Sequence, residues 1–273
     1  RPLMDPLIVH AASIQMVADL AELPESIEKI SEHFWPGPLT LILKKKAVVS
    51  DLVTAGKKTV AIRIPRHPVA HSLIQEVGGP LAAPSANPFG YVSHSTARHV
   101  AASFEDKVPY VIDGGPCEIG LESTILDLTS DERAEVLRPG AVSIEELQEV
   151  LLQPVTRKVV SVSENEAAIA PGTMHRHYSP RTALNLFEGD SPGRLDNQDA
   201  AVYLQRPGDL AAHNIFWLSD TGAPSDIARS LFYILRKLDG KGFKRIHVQL
   251  PGSSETGVLV AVRDRLLRAA SSK

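Results

Sequence analysis

Short apolar runs rich in β-branched residues recur through the first half of the chain, and segments with a helical period lie between them. Runs of this length are typical of buried β-strands, because an amphipathic helix needs a longer stretch to show its two faces. We therefore predict strands at residues 7–9, 39–43, 60–64, 110–112 and 124–128.

Two helices are indicated in the same half. Residues 27–34 place apolar side chains on one face, and the prolines and glycine of residues 36–38 end that helix. A second helix is predicted to begin after Ser143, because Glu146 completes a capping box with it. The apolar positions of residues 144–151 then lie on one side of this helix.

The pattern changes at about residue 157. Residues 157–182 are polar and have few apolar anchors, which is typical of a linker. Beyond them, strand-like runs at 201–204, 215–218 and 246–250 alternate with helical patterns. This alternation predicts a small layered α/β domain after the linker.

The helices of this second part are predicted from their apolar stripes. The first stripe runs from Ile227 to Leu238, and Gly240 ends the helix. The final helix is expected to bury an apolar face and to turn its arginines to solvent. The buried residues would be Leu259, Val262 and Leu266, and the exposed ones Arg263, Arg265 and Arg268.

Composition narrows the class of protein. The chain has 273 residues, 43% of them apolar and 22% charged, as in an ordinary globular protein. The formal net charge of −3 argues against charge-driven, non-specific binding of nucleic acid. No apolar run approaches the roughly 18 residues of a membrane span. Cys117 is the only cysteine, which excludes an intrachain disulfide framework and favours a reducing, intracellular compartment.

The familiar nucleotide-binding loops and metalloprotease motifs are missing from the sequence. A different kind of phosphate site is suggested at residues 82–87, where small residues leave the backbone open and Ser85 and Asn87 follow a predicted strand. The alternative is a turn in which Asn87 caps the chain before Pro88.

Two further segments offer anion-binding groups. A glycine-rich loop at residues 114–121 leads to Ser123 and Thr124 at the start of a strand, which suits a carboxylate or a phosphate. The alternative is an ordinary loop. Arg138 before a Pro-Gly turn is either a phosphate clamp or a surface charge.

Arg63 is placed in an otherwise apolar strand, where an unpaired charge would be costly. Either the end of the strand reaches solvent or the guanidinium has an anionic partner. His10 ends another apolar run in the same way, with a satisfied core histidine as the alternative.

His175, His177 and Tyr178 fall within the predicted linker. No third metal ligand can be identified beside the histidines, so a metal site is rejected in favour of a linker that folds over a ligand. Cys117 has no evident partner base and is interpreted as structural.

Several motifs occur in a fixed order, and together they resemble the YrdC-like domain of threonylcarbamoyl-AMP synthases. The motifs are RPLMDPLIVH (1–10), FWPGPLT (34–40), VAIR (60–63), PSAN (84–87), ESTILD (122–127) and LRPG (137–140). The segment PGTMHRHYSP (171–180) and the closing TGVLVAVRDRL (256–266) resemble the longer, two-domain branch of that family.

The resemblance implies a YrdC-like twisted open α/β sheet with a concave cavity, followed by a small Rossmann-like α/β domain. The implied boundaries are a catalytic domain at 1–156, a linker crossing the active site at 157–182, and a C-terminal domain at 183–273. It further implies that a strand, a loop and the lysine of a Lys-x-Arg pair precede Arg1.

The same resemblance implies synthesis of threonylcarbamoyl-AMP and pyrophosphate from L-threonine, bicarbonate and ATP, in the cytoplasm. The product would serve the threonylcarbamoyl modification of adenosine 37 in tRNA, through a partner transferase complex and with at most weak tRNA contact. Mg²⁺ would enter with ATP, and no protein side chain is expected to ligate a metal.

Site residues are implied by matching motifs. Threonine-binding positions would be His10, Arg63 and Ser123. Nucleotide-binding positions would be Arg1, Thr59, Ser85, Asn87, Ser93, Arg138 and Tyr178. Tyr178 would close over the nucleotide, and its replacement by alanine is expected to leave the fold intact. No residue is assigned as a catalytic acid or base.

One other class remains as an alternative, and a second is excluded. A YrdC-like RNA-binding module without adenylation activity would not need the linker motif at 171–180. A carbamoyl-transfer enzyme of hydrogenase maturation would be much longer and would carry zinc-finger-like cysteines, which a chain with one cysteine excludes.

Overall fold

A computed structural model describes residues 5–130, 132–158, 178–208 and 212–270. The chain divides into two compact units, each made of two segments of sequence. The first unit is formed by Arg1–Pro84 and Glu122–His175, and the second by Ser85–Leu121 and Arg176–Lys273.

The strands and helices of both units are numbered in chain order. The strands are β1 (Ile8–His10), β2 (Leu39–Lys44), β3 (Thr59–Arg63), β4 (Leu81–Ala83), β5 (Thr124–Asp127), β6 (Ala134–Arg138), β7 (Val155–Arg157), β8 (Ala183–Phe187), β9 (Asp199–Gln205), β10 (Ile215–Ser219) and β11 (Arg245–Gln249). The helices are α1 (Ile14–Leu20), α2 (Ile27–Phe34), α3 (Asp51–Thr54), α4 (Pro68–Val77), α5 (Ala97–Phe104), α6 (Ile144–Leu151), α7 (Pro224–Asp239) and α8 (Val258–Ala270), with a short 3₁₀ turn at Glu105–Lys107.

The first unit is built on a mixed seven-stranded sheet in the order β4-β1-β3-β2-β5-β6-β7. Strand β2 is its centre: it runs antiparallel to β3 and parallel to β5. Five of the six residues of β2 are buried, which explains why its sequence is apolar without alternation. The predicted mixed α/β sheet is therefore confirmed.

Local signals determine where the helices of this unit begin and end. The Ser143 hydroxyl accepts a hydrogen bond from the Glu146 amide at 3.2 Å, and the Glu146 carboxylate accepts one from the Ser143 amide at 2.7 Å. The predicted capping box is thus present, and Leu147 and Leu151 of α6 are buried in the core. Helix α2 also has the predicted extent, because the chain turns extended at Trp35.

The second unit contains a four-stranded parallel sheet in the order β10-β9-β11-β8. The apolar stripes of α7 and α8 bury Leu231, Phe232, Leu235 and Val262 against it. Gly240 follows the last residue of α7, as the sequence predicted. A parallel sheet with crossover helices is the predicted layered α/β arrangement.

The strand predicted at residues 110–112 was wrong. This segment is an exposed loop, in which Tyr110 is 86% exposed and Ile112 62% exposed. The preceding Pro109 has no amide hydrogen to donate, and the Asp113 carboxylate accepts from the Gly115 amide in a turn directly after the run. An apolar run of three residues becomes a strand only where a neighbouring strand pairs with it, and no described strand does.

The exposure predicted for Arg265 was also wrong, since its side chain is fully buried. Its Nη1 donates to Asp264 Oδ2 at 2.9 Å, and its guanidinium carbon lies 5.0 Å from the centre of the Tyr178 ring. Arg265 is three residues from Val262 and therefore lies close to the apolar face of the helix. A carboxylate and an aromatic ring make its burial tolerable.

The two compact units have other boundaries than the domains predicted from the sequence. Residues 85–121 were assigned to the first domain, but they pack with the C-terminal unit. Of the predicted linker at 157–182, only residues 157–158 and 178–182 lie within the described ranges. None of the helices in these ranges combines the length and the apolar character needed to cross a bilayer.

Candidate functional site

Polar side chains of the first unit occur at the ends of its central strands. His10 ends β1 and Arg63 ends β3, and these two residues are register partners in the parallel pair. Parallel strands end at the same edge of a sheet, so the two side chains are presented there together. Two of the residues predicted to bind threonine therefore share this edge, and their role stays a prediction.

The Arg63 guanidinium is oriented by the backbone. Its Nε donates to the Gly37 carbonyl at 2.8 Å, and the Gly37 amide in turn donates to the Ile64 carbonyl at 2.9 Å. A Cβ atom at Gly37 would lie 2.2 Å from the Phe34 carbonyl oxygen, so only glycine fits this turn. In the described part of the chain, no carboxylate forms an ion pair with Arg63.

The electrostatics of this edge are positive. Burial, followed by the nearby charges of Arg138 and Arg66, lowers the pKa of Arg63 to about 10. Burial is also the main cause that lowers the pKa of His10, followed by the charge of Arg63, against weaker backbone contacts that raise it. His10 is therefore neutral near pH 7, and an anion at this edge would offset an uncompensated cation.

Ser123, Thr40 and Arg138 form a second, buried group in the same unit. The Ser123 and Thr40 hydroxyls are 2.7 Å apart. Arg138 Nη2 donates to the Ser123 hydroxyl at 3.0 Å and to its carbonyl at 2.9 Å. Arg138 is only 4% exposed, which excludes its interpretation as a surface charge before a turn.

Gly140 holds this group in place by allowing a close backbone approach. A Cβ atom there would lie 2.3 Å from the Thr124 amide nitrogen. The Thr124 hydroxyl donates to the Val142 carbonyl at 2.7 Å and accepts from the Val142 amide at 3.0 Å. The Arg-Pro-Gly motif therefore joins the exit of β6 to the entrance of β5, which keeps Arg138 beside Ser123.

Sequence reasoning missed Thr40 and Gly37 as members of the site. Both belong to the FWPGPLT motif, which was noted only as a helix end and a family resemblance. A buried threonine at the second position of a central strand was a signal that could have been used, because a buried hydroxyl needs a partner.

Thr59 is not part of either group. It begins β3, whereas Arg63 ends it, so their α-carbons are separated by about 13 Å at the rise of an extended strand. The two residues do point to the same face, because they are four positions apart. The structure therefore leaves the nucleotide role of Thr59 as a prediction.

The remaining predicted residues belong to the second unit. The Asn87 side-chain amide donates to the carbonyls of Pro88 and Tyr91, at 3.1 and 2.9 Å, so it stabilises a turn as the structural alternative proposed. Ser93 is buried and Ser85 is half-buried. Their nucleotide roles stay predictions.

Tyr178 lies in the core of the second unit. Its ring is fully buried and stacks on Phe232, with 5.4 Å between the ring centres. This burial argues against the expectation that alanine could replace it without affecting the fold, because that change would open a cavity in the core. Arg1, His175 and His177 lie outside the described residues.

The described residues offer little to a divalent metal ion. They contain no group of three His, Cys, Asp or Glu side chains that could hold one. The polar residues of the first unit's site are arginine, histidine, serine and threonine, which are cationic or neutral donors rather than the carboxylates that bind Mg²⁺.

Comparison with known proteins bears on both halves of the chain. Residues 1–140 match the Sua5/YciO/YrdC family, described as "Telomere recombination", and residues 142–271 match the family described as "Threonylcarbamoyl-AMP synthase, C-terminal domain". The chain is 38% identical to the threonylcarbamoyl-AMP synthase of Pyrococcus abyssi, over 98% of this chain and 81% of that protein. It is 37% identical to the threonylcarbamoyl-AMP synthase of Bacillus subtilis, over 100% of this chain and 81% of that protein.

A solved structure is similar over the same range. The crystal structure of P. abyssi Sua5 complexed with L-threonine superposes with a TM-score of 0.87 at 37% identity. The match covers 99% of this chain and 81% of that one. Both units therefore have counterparts in one solved protein.

Proposed function

The chain belongs to the threonylcarbamoyl-AMP synthase family, and on that premise we propose that it acts as a nucleotidyltransferase. Its substrates would be L-threonine, bicarbonate and ATP, and its products threonylcarbamoyl-AMP and pyrophosphate. The observation that carries this proposal is the half-buried guanidinium of Arg63 at the edge of the first sheet, with which no described carboxylate forms an ion pair.

Arg63 is suited to bind the carboxylate of threonine. Because its Nε is occupied by the Gly37 carbonyl, the orientation of the planar group is set before a ligand arrives. The two Nη groups remain for a carboxylate, which an arginine binds in bidentate geometry. The solved relative was crystallised with L-threonine, which agrees with an amino-acid site in this family.

His10 would lie next to the bound amino acid and supply a neutral hydrogen-bonding group. Its pKa is lowered by burial and by Arg63, so near pH 7 it carries no charge that would repel the amino group of threonine. A neutral imidazole can both donate and accept a hydrogen bond.

Arg138 and the hydroxyls of Ser123 and Thr40 would neutralise negative charge on the nucleotide. Hydrogen bonds hold them to one another at 2.7 to 3.0 Å, so they need little rearrangement on binding. Pre-arranged cationic and hydroxyl donors are what a reaction at phosphorus requires. Ser123 would then contact both substrates.

The proposed reaction has two steps. The amino group of threonine combines with bicarbonate to give a carbamate and water, and a carbamate oxygen attacks the α-phosphorus of ATP. The bond between the α- and β-phosphates breaks, and pyrophosphate leaves with its electron pair. This chemistry depends on positioning and charge neutralisation, which suits a site without an evident acid–base pair.

Mg²⁺ would accompany ATP through the phosphate oxygens. The site residues of the first unit do not provide a carboxylate ligand set for it. Transfer of the product to a tRNA-modifying complex, weak contact with tRNA and a cytoplasmic location remain predictions of the same proposal.

The proposal is tested by measuring pyrophosphate release from ATP by the purified protein. Release is expected only when threonine and bicarbonate are both present, and threonylcarbamoyl-AMP should accumulate in equal amount. Serine and valine in place of threonine serve as controls for the amino-acid site. Release at the same rate without threonine would overturn the proposal.

A further inference from the structure

His94, His99 and Arg236 form a basic cluster within the second unit, which none of the proposed substrate contacts uses. The ring centres of His94 and His99 are 6.3 Å apart. Arg236 reaches the same segment from α7: its Nη2 donates to the Ser103 hydroxyl at 3.1 Å, and its Nη1 donates to the Val92 carbonyl at 3.4 Å. The cluster thus joins residues 92–103 to α7.

Buried hydrogen-bonding atoms without partners are concentrated in and beside this cluster. They are Nδ1 and Nε2 of His94, Nδ1 of His99, Nε of Arg236 and Oγ of Ser95. A backbone contact with Val92 raises the pKa of His94, but neither ring nitrogen forms a well-aligned hydrogen bond. Because each buried polar atom without a partner costs free energy, such a concentration indicates a ligand or ordered water.

The charges around the cluster are mostly positive. The charge of Arg98, in α5, lowers the pKa of His99, and the charge of Arg181, before β8, lowers the pKa of Arg236. The negative charge of Asp239 in α7 raises the pKa of Arg236. The Asp239 carboxylate already accepts a hydrogen bond from the Thr182 amide at 2.7 Å. Burial, then Arg236 and His99, lower the pKa of His94 to about 4, and burial, Arg236 and Arg98 lower that of His99.

A cavity of about 340 Å³ lies beside the cluster in the same unit. Ser95, Thr96, Ser230 and Tyr233 line it on the side of the cluster. The rest of its lining includes one cation and one acid, Arg229 and Glu118. Ser95 follows His94 in sequence, and the Tyr233 ring packs on His99 with 5.8 Å between centres. The wall of the cavity is therefore continuous with the basic cluster.

We propose that the basic cluster binds a small oxyanion of the phosphate type. Water in this position would satisfy the hydrogen bonds but would leave the positive charge unbalanced. An oxyanion would satisfy the hydrogen bonds and also balance the charge. Arg236 and the two imidazoles would donate to its oxygens, and the Ser95 hydroxyl would complete the site. Histidines that bind an anion take up protons more readily, so binding and protonation are coupled.

The test is a pH titration of the histidine ring signals of the full chain by NMR, with inorganic phosphate as the probe. Sodium chloride at equal ionic strength is the reference condition, and the exposed His33 of α2 is an internal control. Phosphate is expected to raise the pKa of His94 by about one unit or more in a saturable manner, a tenfold preference for the protonated form. The ring signals of His33 at a fixed pH should not respond to phosphate.

Arg236→Met should weaken phosphate binding by about tenfold or more, whereas Lys237→Met is the matched control. Lys237 is an exposed cation of the same helix that does not line the cavity, so its loss should leave binding unchanged. If Arg236→Met does not fold, the wild-type titration alone decides. A His94 pKa that is the same in phosphate and chloride would overturn the proposal, and so would an equal response to acetate, because acetate is not a phosphate-type anion.

Discussion

Arg63 is positioned by a neutral backbone oxygen, while the charges nearest to it are those of other arginines. A carbonyl acceptor fixes the direction of the guanidinium but carries no net charge to neutralise it. Arg138 donates several hydrogen bonds to Ser123, and these acceptors are neutral oxygens as well. At the scale of single residues, the charge of Arg63 is therefore one that an anionic ligand would offset.

Replacing Arg63 by alanine should weaken threonine binding far more than ATP binding. Losing a charged, hydrogen-bonded contact to a carboxylate costs roughly 2–5 kcal/mol in affinity. The folded state should be retained, because a half-buried charge is removed and not created. Isothermal calorimetry with threonine and with ATP checks this, and Lys44→Ala, at the exposed end of β2, is the control. Unchanged threonine affinity in a folded variant would remove Arg63 from the site.

Helix α8 contacts the end of the predicted linker, at residues 178–179. The Ser179 hydroxyl donates to the Ala269 carbonyl at 3.1 Å, and the buried Arg265 lies over the Tyr178 ring. Tyr178 adopts φ +67°, a left-handed conformation that costs about 1 kcal/mol or more in a residue other than glycine. Packing against α7 and α8 therefore outweighs the local preference of the backbone.

Tyr178→Ala should destabilise the protein by about 3–5 kcal/mol, as other aromatic-to-alanine changes in cores do. Tyr178→Phe keeps the ring and should retain most of the stability. Chemical denaturation followed by near-ultraviolet circular dichroism gives the comparison. Equal stability of the alanine variant and the wild type would mean that the ring is not held in the core in solution.

The whole molecule is divided differently in space and in sequence. Val92 belongs to the core of the second unit, and a Cβ atom at Gly120 would lie 2.5 Å from the Arg229 Cα. Residues 85–121 therefore depend for their packing on a helix more than 100 positions later in the chain. The family boundary near residue 141 does not coincide with this division.

A substitution in the core of one compact unit should lower the local stability of that unit and change the other little. Leu231→Ala in α7 removes a fully buried side chain, which costs about 2–5 kcal/mol. We expect faster amide hydrogen exchange in residues 92–121 as well as in β9, with little change in β5. Leu126→Ala in β5 is the matched control. It should make exchange faster in β5 and change it little in residues 92–121 and β9. If amide exchange in residues 92–121 changes together with that of β5 and not with that of β9, the division into these two units is contradicted.

The sequence by itself determined the features that rest on local signals. The capping box at Ser143, the glycine after α7, the central strands of both sheets and the alternation of the C-terminal domain are all present. These features are readable because caps, turns and periodicity depend on residues only a few positions apart. Ordered motifs also identified the family, which the comparisons support.

Only the tertiary structure decided which side chains meet. It buried Arg265 against Tyr178, left residues 110–112 without a strand partner, and brought Thr40 to within 2.7 Å of a hydroxyl 83 positions away. Arg138 could be read from the sequence as a clamp or as a surface charge, and its burial depended on the approach of Gly140 to Thr124. Such outcomes depend on contacts between distant segments, whose free energy no local pattern contains.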